Sequence, residues 1–321
     1  HSQPVIIDPL IQATYLGGNG AEKALDIKVH PKTGEVYVLI KAYHPGKGFT
    51  NRFPGTNGGW QSTQAITSSP IPLIARLKPD LKSLLQATYL FPVAERQSHP
   101  AKDRNSDAII KLMLHPKNGD VYLYGYAPVQ SVPGLSGGAL PQAEMANAWF
   151  ISRLSATLAQ LKQSSFLSTK YSFTATPSDV VLDLSAGINA AISPVNGTIN
   201  LVGTDISKTQ RAVVMQLNET LKTFKFKMID SDSIGNGIAV HPKNGDVYIA
   251  GTANDDLLPN AVNGYQPYNN SFPSTGLKPD AFVAKFSPDL LTLKQTTYLG
   301  GTTIDNGKEL AFNKSGNSVY I

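Results

Sequence analysis

The chain has 321 residues, a net charge of +5 and no cysteine, which excludes disulfides and thiolate metal sites. Charged residues make up only 16%, and 27 glycines and 22 prolines are present, a composition typical of turn-rich all-β proteins and not of helical bundles or disordered chains. No apolar run has the length of a membrane span, and the lysines form no run, so the charge indicates a solvated surface and not a nucleic-acid patch.

The first predicted element is a strand within residues 5–18, where Leu10–Gly18 reads LIQATYLGG. The same signal returns at Leu84–Leu90 and at Leu293–Gly301, so we interpret the first copy as an outer strand that closes a ring. Because the chain begins at His1 and not at Met, we expect that any signal peptide has already been removed.

An octapeptide, HPKNGDVY, is spelled identically at His115–Tyr122 and His241–Tyr248. Degenerate copies begin at His30, Ser193 and Asn313. Apolar residues alternate with charged ones over 25–29, which is the period of a half-buried strand. Pro and Asn-Gly then favour a tight turn, and the β-branched and aromatic residues that follow favour a returning strand. The octapeptide therefore predicts a recurring β-hairpin and not a catalytic motif.

Two further signals complete a repeating unit. A third strand is predicted at Leu73–Asp80, Trp149–Thr157, Ala212–Thr220 and Ala281–Asp289. A fourth strand is predicted at Leu84–Leu90, Leu161–Ser168, Leu221–Met228 and Leu293–Gly301. Four antiparallel strands repeated in series, without a helical period between them, predict an all-β fold, a β-propeller with about five blades. We place its units at 19–90, 91–168, 169–228, 229–299 and, incomplete, 300–321, within a single domain.

The motifs resemble the SBBP-type β-propeller repeats of bacterial secreted and cell-surface proteins. The segments Gly235–Thr252 and Asp280–Asp289 carry the resemblance most closely, and the third unit departs most, because its long loop shrinks to TDISKTQ. The resemblance implies an exported propeller, secreted, periplasmic or at a cell surface, and it implies no catalytic residues.

The fifth copy stops after its second strand. An edge left open at a second strand invites aggregation, so we expect the native ring to continue, and seven blades is the number that the resemblance implies. The alternative is a closed ring of five blades, one of which has three strands.

The long loops between second and third strands are the candidate binding surface. They span Tyr43–Pro72, Tyr126–Asn147 and Thr252–Pro279, and in a propeller they all emerge on one face. Aromatic tips suit protein or glycan contacts, and the predicted binding residues are Phe49, Phe53, Trp60, Tyr265 and Tyr268. The alternative for Trp60 and Tyr265 is that these residues, each six positions after a Pro and followed by Gln, pack their own loop. The short loop of the third unit is expected to leave a notch.

Metal sites are the weaker candidates. His30, His115 and His241 hold equivalent positions, but equivalent atoms of neighbouring blades lie too far apart to share one ion, so we interpret them as turn residues. His1 is a candidate copper ligand, and Asp230, Asp232 and Asp305 lie in acidic loops that are candidates for structural calcium. Turn formation is the alternative for these aspartates.

The sequence favours a non-enzymatic interaction or structural module of the cell surface, with a protein or surface glycan as partner, no nucleic acid and no cofactor. One alternative is a hydrolase or lyase with carboxylates around one mouth of the ring. The other is a metal-binding surface protein that uses His1 or the acidic loops.

Overall fold

A computed structural model describes residues 12–43, 52–63, 71–90, 111–144, 147–167, 182–183, 189–206, 209–270 and 278–321. Across these ranges the fold is all β, apart from a single turn of 3-10 helix at Val129–Ser131. None of the helical structure in these ranges is long and apolar enough to cross a membrane.

The strands form consecutive antiparallel sheets, which we call blades. The first blade contains β1 Glu22–Val29, β2 Val36–Ala42, β3 Ile71–Leu77 and β4 Leu84–Tyr89. The second contains β5 Lys111–Leu114, β6 Val121–Pro128, β7 Asn147–Leu154 and β8 Leu161–Phe166. The third contains β9 Leu182–Asp183, β10 Asn189–Ile192, β11 Ile199–Asp205, β12 Arg211–Leu217 and β13 Phe224–Met228, with β9 and β10 both paired to β11. The fourth contains β14 Ser233–Val240, β15 Val247–Ala253, β16 Asp280–Phe286 and β17 Leu293–Leu299. The fifth contains β18 Ala311–Phe312 and β19 Val319–Tyr320.

Successive blades pack face to face, which confirms the predicted propeller. Their first strands contact one another in series, β1 with β5, β5 with β10, β10 with β14 and β14 with β18. The buried apolar clusters lie between neighbouring blades: one joins the first and second blades, another the second and third, and another the third and fourth. Four-stranded antiparallel sheets stacked in this way are the blades of a β-propeller.

The described strands of the five blades span residues 22–89, 111–166, 182–228, 233–299 and 311–320. The predicted outer strand at 5–18 stays a prediction, since residues 1–11 lie outside the described ranges and 12–18 carry no strand there.

The histidine of the octapeptide holds the hairpin turn. The Nδ1 atoms of His30, His115 and His241 each accept hydrogen bonds from the backbone N–H groups two and three residues later, at 3.1 to 3.3 Å. The imidazole thus satisfies donors that the tight turn leaves free. These contacts agree with the interpretation of the three histidines as turn residues.

The same imidazole reaches the turn of the next blade. The pairs are His30 with Gly119, His115 with Gly197 and His241 with Gly316. A β-carbon added at Gly197 would lie 2.7 Å from His115 Nε2, and this glycine also has a φ of +77°. Both its left-handed backbone and its neighbour therefore require glycine at this point of the repeat.

The tyrosine of the octapeptide makes a second bridge between blades. Tyr37 Oη donates to the carbonyl oxygen of Ala156 in the second blade at 3.0 Å, and Tyr122 Oη donates to that of Glu219 in the third at 2.6 Å. Burial raises the pKa of Tyr37 to about 12, so the hydroxyl stays a donor at neutral pH. The histidine and tyrosine of the octapeptide therefore join the first blade to the second and the second to the third.

The third blade makes this bridge with different residues. Asn200 occupies the tyrosine position, and Gln216 Nε2 donates to Asn200 Oδ1 at 2.7 Å and to the carbonyl oxygen of Pro288 in the fourth blade at 2.9 Å. Ser193 replaces the histidine.

The His115 imidazole is buried in the joint between the second and third blades. Burial lowers its pKa from the usual 6.5, and nearby Arg153 and Lys117 lower it further, while Glu219 and Asp120 oppose the shift. A histidine with a lowered folded pKa takes up a proton more readily in the unfolded chain. The free energy of unfolding therefore falls as the pH drops below about 6.5 and levels off below the folded pKa.

We expect the substitution His115→Asn to remove part of this pH dependence. Asparagine occupies this position in the fifth copy of the turn and does not titrate, whereas the remaining acidic groups titrate in both proteins. Urea unfolding between pH 8 and pH 5 should show a larger loss of stability for the wild type than for the variant. Identical slopes would contradict the assignment of this titration to His115.

Candidate functional site

Three blades carry a nine-residue loop of one shape between their second and third strands. The loops are 53–61 in the first blade, 132–140 in the second and 258–266 in the fourth. Each begins with a buried apolar residue and a proline, and the next residue has positive φ: Gly55 at +70°, Gly134 at +72° and Asn260 at +59°. Glycine and asparagine tolerate this conformation, so the three loops follow the same path.

Each loop is hydrogen-bonded to the fourth strand of its own blade. In the first blade Ala87 N donates to Gly55 O at 2.7 Å and Tyr89 N donates to Gln61 O at 3.0 Å. Gln86 Nε2 adds a bond to Gly55 O at 2.7 Å. The corresponding donors are Ser164, Phe166 and Gln163 in the second blade and Thr296, Tyr298 and Gln295 in the fourth. The loop thereby covers the outer backbone edge of the blade.

The glutamine of the fourth strand has a role that the strand pattern alone does not predict. The segments LLQATYL, LKQSSFLS and LKQTTYLGG all carry Gln three residues before Tyr or Phe. A hydroxyl two residues after each Gln also accepts from the loop, as Thr88 Oγ1 does from Gln61 N at 2.9 Å. The repeated Gln-x-Ser/Thr therefore indicates a loop that is hydrogen-bonded to the fourth strand of its blade.

Two of the predicted binding residues pack against apolar clusters, Phe53 as a buried residue and Trp60 as a partly buried one. Phe53 is 4% exposed and belongs to the apolar cluster of the first blade, in the position that Val132 and Leu258 hold in the other loops. This ring anchors its loop and is not a surface tip. Trp60 packs against the cluster between the first and second blades, and its backbone N–H donates to the carbonyl oxygen of Leu158 at 2.8 Å.

The fourth blade presents two further predicted aromatic residues, Tyr265 and Tyr268, to solvent. Tyr265 corresponds to Trp60 but is 91% exposed, and Tyr268 is 59% exposed. Gln266 holds the segment between them: its N–H donates to Thr297 Oγ1 at 2.9 Å, and its Nε2 donates to Tyr268 O at 3.1 Å. Exposed rings on a fixed backbone are the arrangement that binding surfaces use. Phe49 lies outside the described residues.

The buried carboxylate of Asp280 stabilises this loop. Asp280 is fully buried, and its Oδ2 accepts from Gln266 Nε2 at 3.2 Å and from Asn270 N at 3.0 Å. Burial raises the pKa of this carboxyl group, the bond from Asn270 N opposes the shift, and the negative charge of Asp305 adds to it. The Asp280 carboxyl group fixes the loop and does not reach solvent.

The acidic loops do not form a metal centre among the described residues, where no three His, Asp or Glu side chains come together. The Asp230 side chain is 92% exposed and lies 3.7 Å from Arg211. Asp232 accepts from Asn254 Nδ2, and Asp305 accepts from Gly301 N. The Asp305 carboxylate thus closes a turn, whereas that of Asp232 links the start of the fourth blade to the segment that follows β15. His1 lies outside the described residues.

The third blade contains the predicted notch. Its loop between β11 and β12 is too short to repeat the nine-residue path, and an open groove of about 540 Å³ lies beside β13. Its walls are Lys227, Met228 and Asp230 of the third blade and Pro259, Asn260 and Leu291–Leu293 of the fourth. Among the described residues that line this groove, Asp230 carries the carboxylate.

No protein-family model and no curated protein sequence matches the chain. Solved structures similar to it include a polysaccharide lyase of family PL25, an ulvan lyase, with 14% identity and a TM-score of 0.42 over 92% of this chain and 60% of that one. Others are the Hadza microbial sialidase Hz136, with 9% identity and a TM-score of 0.44 over 88% and 48%, and a Dyadobacter fermentans protein of unknown function, with 13% and 0.41 over 95% and 76%. The chain thus spans about half to three quarters of these proteins, and likeness of this size carries no conclusion about function.

Proposed function

We propose that the chain is part of a non-enzymatic, exported β-propeller of the SBBP type that binds a glycan through the loop face of its fourth blade. The observation that supports this is the pair Tyr265 and Tyr268, exposed to solvent on a loop that Gln266 and the fourth strand hold in place. Tyrosine offers a flat apolar ring and a hydroxyl group with little conformational entropy to lose on binding.

The neighbouring polar groups suit a neutral, hydroxyl-rich ligand. Asn263 lies in the same loop and Asn270 follows it, and both are exposed. Amides donate and accept hydrogen bonds without a net charge, which matches sugar hydroxyl groups. The exported location rests on the resemblance of the repeats.

We expect Tyr265→Ala and Tyr268→Ala each to weaken glycan binding by about tenfold or more, because exposed aromatic anchors carry much of the binding energy of such surfaces. The measurement is binding of the purified protein to a glycan array, followed by calorimetry with the best oligosaccharide. Tyr15→Ala is the matched control, since Tyr15 is also fully exposed but lies before β1. Absence of any glycan binding, or equal binding by all three variants, would overturn the proposal.

A further inference from the structure

Among the first four blades, the third is the one whose outer edge no described segment of the chain covers. In the other three, a nine-residue loop accepts from alternate N–H groups of the fourth strand. No such loop lies beside β13. Lys225 stands where the fourth blade has Gln295, and Lys227 stands where it has Thr297. The loop and the side chains that would hold it are thus absent together.

The N–H groups of Phe226 and Met228 point away from the sheet. Phe226 pairs with Met215 as Thr296 pairs with Ala284, and the N–H of Thr296 is directed outward to its loop. Met228 pairs with Val213 as Tyr298 pairs with Phe282, so its N–H is directed outward as well. Among the described residues nothing accepts from these two N–H groups. They form the unpaired donor row of an edge strand.

The β13 strand also lacks the irregularity that the other outer strands have. The pairing of third with fourth strands shifts register at Arg76/Leu77, Arg153/Leu154 and Lys285/Phe286. The β12–β13 register is continuous from Val213 to Leu217. Bulges make an edge unsuitable for pairing, so a regular edge is the form that accepts a further strand.

The two faces of β13 differ in chemistry. Phe224 and Met228 pack against the cluster between the second and third blades, and Phe226, 37% exposed, extends this apolar face. Lys225 and Lys227 are exposed on the opposite face, and Lys227 lines the groove beside the fourth blade. A strand added at this edge would therefore place every second side chain beside apolar residues and the others beside lysines.

The charge of β13 distinguishes between two possible partners of this strand edge, a second copy of the chain and a segment of another protein. A second copy of the chain, paired edge to edge, would set lysines against lysines, which is unfavourable. A segment with carboxylates on one face would place them beside Lys225 and Lys227. We propose that β13 binds an extended peptide segment of a partner protein that alternates apolar and acidic residues, by adding it as a fifth strand.

The probe is a synthetic ten-residue peptide of alternating valine and glutamate. Hydrogen exchange of the free protein should show rapid exchange at Phe226 and Met228, and saturating peptide should protect both amides. A peptide of alternating valine and lysine is the matched control and should protect neither. Binding of the glutamate peptide should weaken with rising salt, because the lysines are exposed to solvent.

The decisive variants are Phe226→Pro and Phe226→Leu. Proline removes the outward N–H but is tolerated where that group faces solvent, whereas leucine keeps it. We expect proline to weaken peptide binding about tenfold and leucine to leave it nearly unchanged. The double variant Lys225→Gln, Lys227→Thr restores the residues of the other blades and should remove the preference for glutamate over lysine peptides.

Three results would overturn the proposal: protection of Phe226 and Met228 without peptide, equal binding by the proline and leucine variants, or equal binding of the two peptides. Association of the chain with itself in light scattering, lost in Phe226→Pro, would assign the edge to a second copy and would also overturn it. None of these outcomes depends on Tyr265 or Tyr268, so the glycan proposal stands or falls separately.

Discussion

The substitution Asp120→Ala is expected to lower the free energy of unfolding by about 3 kcal/mol, because it leaves a nearly buried cation without its partner. The Asp120 side chain is 3% exposed, and its carboxylate lies 2.5 Å from Arg153 Nη2 and 2.9 Å from Lys162 Nζ. Arg153 is itself only 12% exposed and also donates to the carbonyl oxygen of Glu219 in the third blade. The substitution is therefore expected to weaken the joint between the second and third blades as well.

The fourth blade offers a matched control. Asp246 holds the equivalent position and contacts Lys294 at 2.6 Å and Lys285 at 3.3 Å, but these lysines are 40% and 32% exposed. Water can solvate them after Asp246→Ala, so we expect a loss of about 1 kcal/mol. Urea unfolding of both variants at neutral pH measures the difference. A loss for Asp120→Ala no larger than that for Asp246→Ala would contradict the role of burial.

The substitution Gly138→Ala is expected to destabilise the protein by about 3 kcal/mol and to release the loop of the second blade. A β-carbon at Gly138 would lie 2.1 Å from the carbonyl oxygen of Ser164 in β8, which is backbone and cannot move aside. The loop must then lift from the strand. Hydrogen exchange at Ser164 and Phe166, whose N–H groups donate to this loop, should become fast.

The adjacent glycine separates steric clash from backbone conformation. Gly137 has a φ of +76°, and a β-carbon there would meet only Gln163 Oε1 at 3.7 Å. Gly137→Ala should therefore lower stability by about 1 kcal/mol and leave the exchange at Ser164 and Phe166 slow. Rapid exchange in both variants, or in neither, would refute the close approach of the loop as its cause.

The local rules of strand and turn formation made the blades predictable from sequence. Alternating apolar residues and the Asn-Gly turns predict the strands, and their order predicts the propeller. The contacts between blades were not predictable, because His115 and Tyr122 meet residues of another unit only after the sheets stack. The sequence showed that these residues recur and that they belong to a turn, but not that they join blades.

Only part of the candidate site was predictable, because the burial of each aromatic ring depends on contacts outside its own loop. Phe53 and Tyr265 both lie in loops rich in Gly and Pro, and a single loop does not show which ring points inward. Comparison of the three copies would have shown that Phe53 aligns with Val132 and Leu258, an apolar position. The notch at the third blade was predicted from loop length, whereas the exposed N–H groups of β13 required the strand register.

The blades are joined in series, because each copy of the octapeptide contacts the blade that follows it, and the contacts differ in composition from joint to joint. Each blade depends on its neighbours and not on distant blades, so stability is the sum of blade terms and joint terms, as in linear repeat proteins. The link after the third blade has Ser193 and Asn200 where the links before it have histidine and tyrosine. The third and fourth blades are joined instead by the bond from Gln216 to Pro288 and by the apolar cluster between them, so substitutions there are expected to weaken this joint and to leave the histidine and tyrosine joints intact.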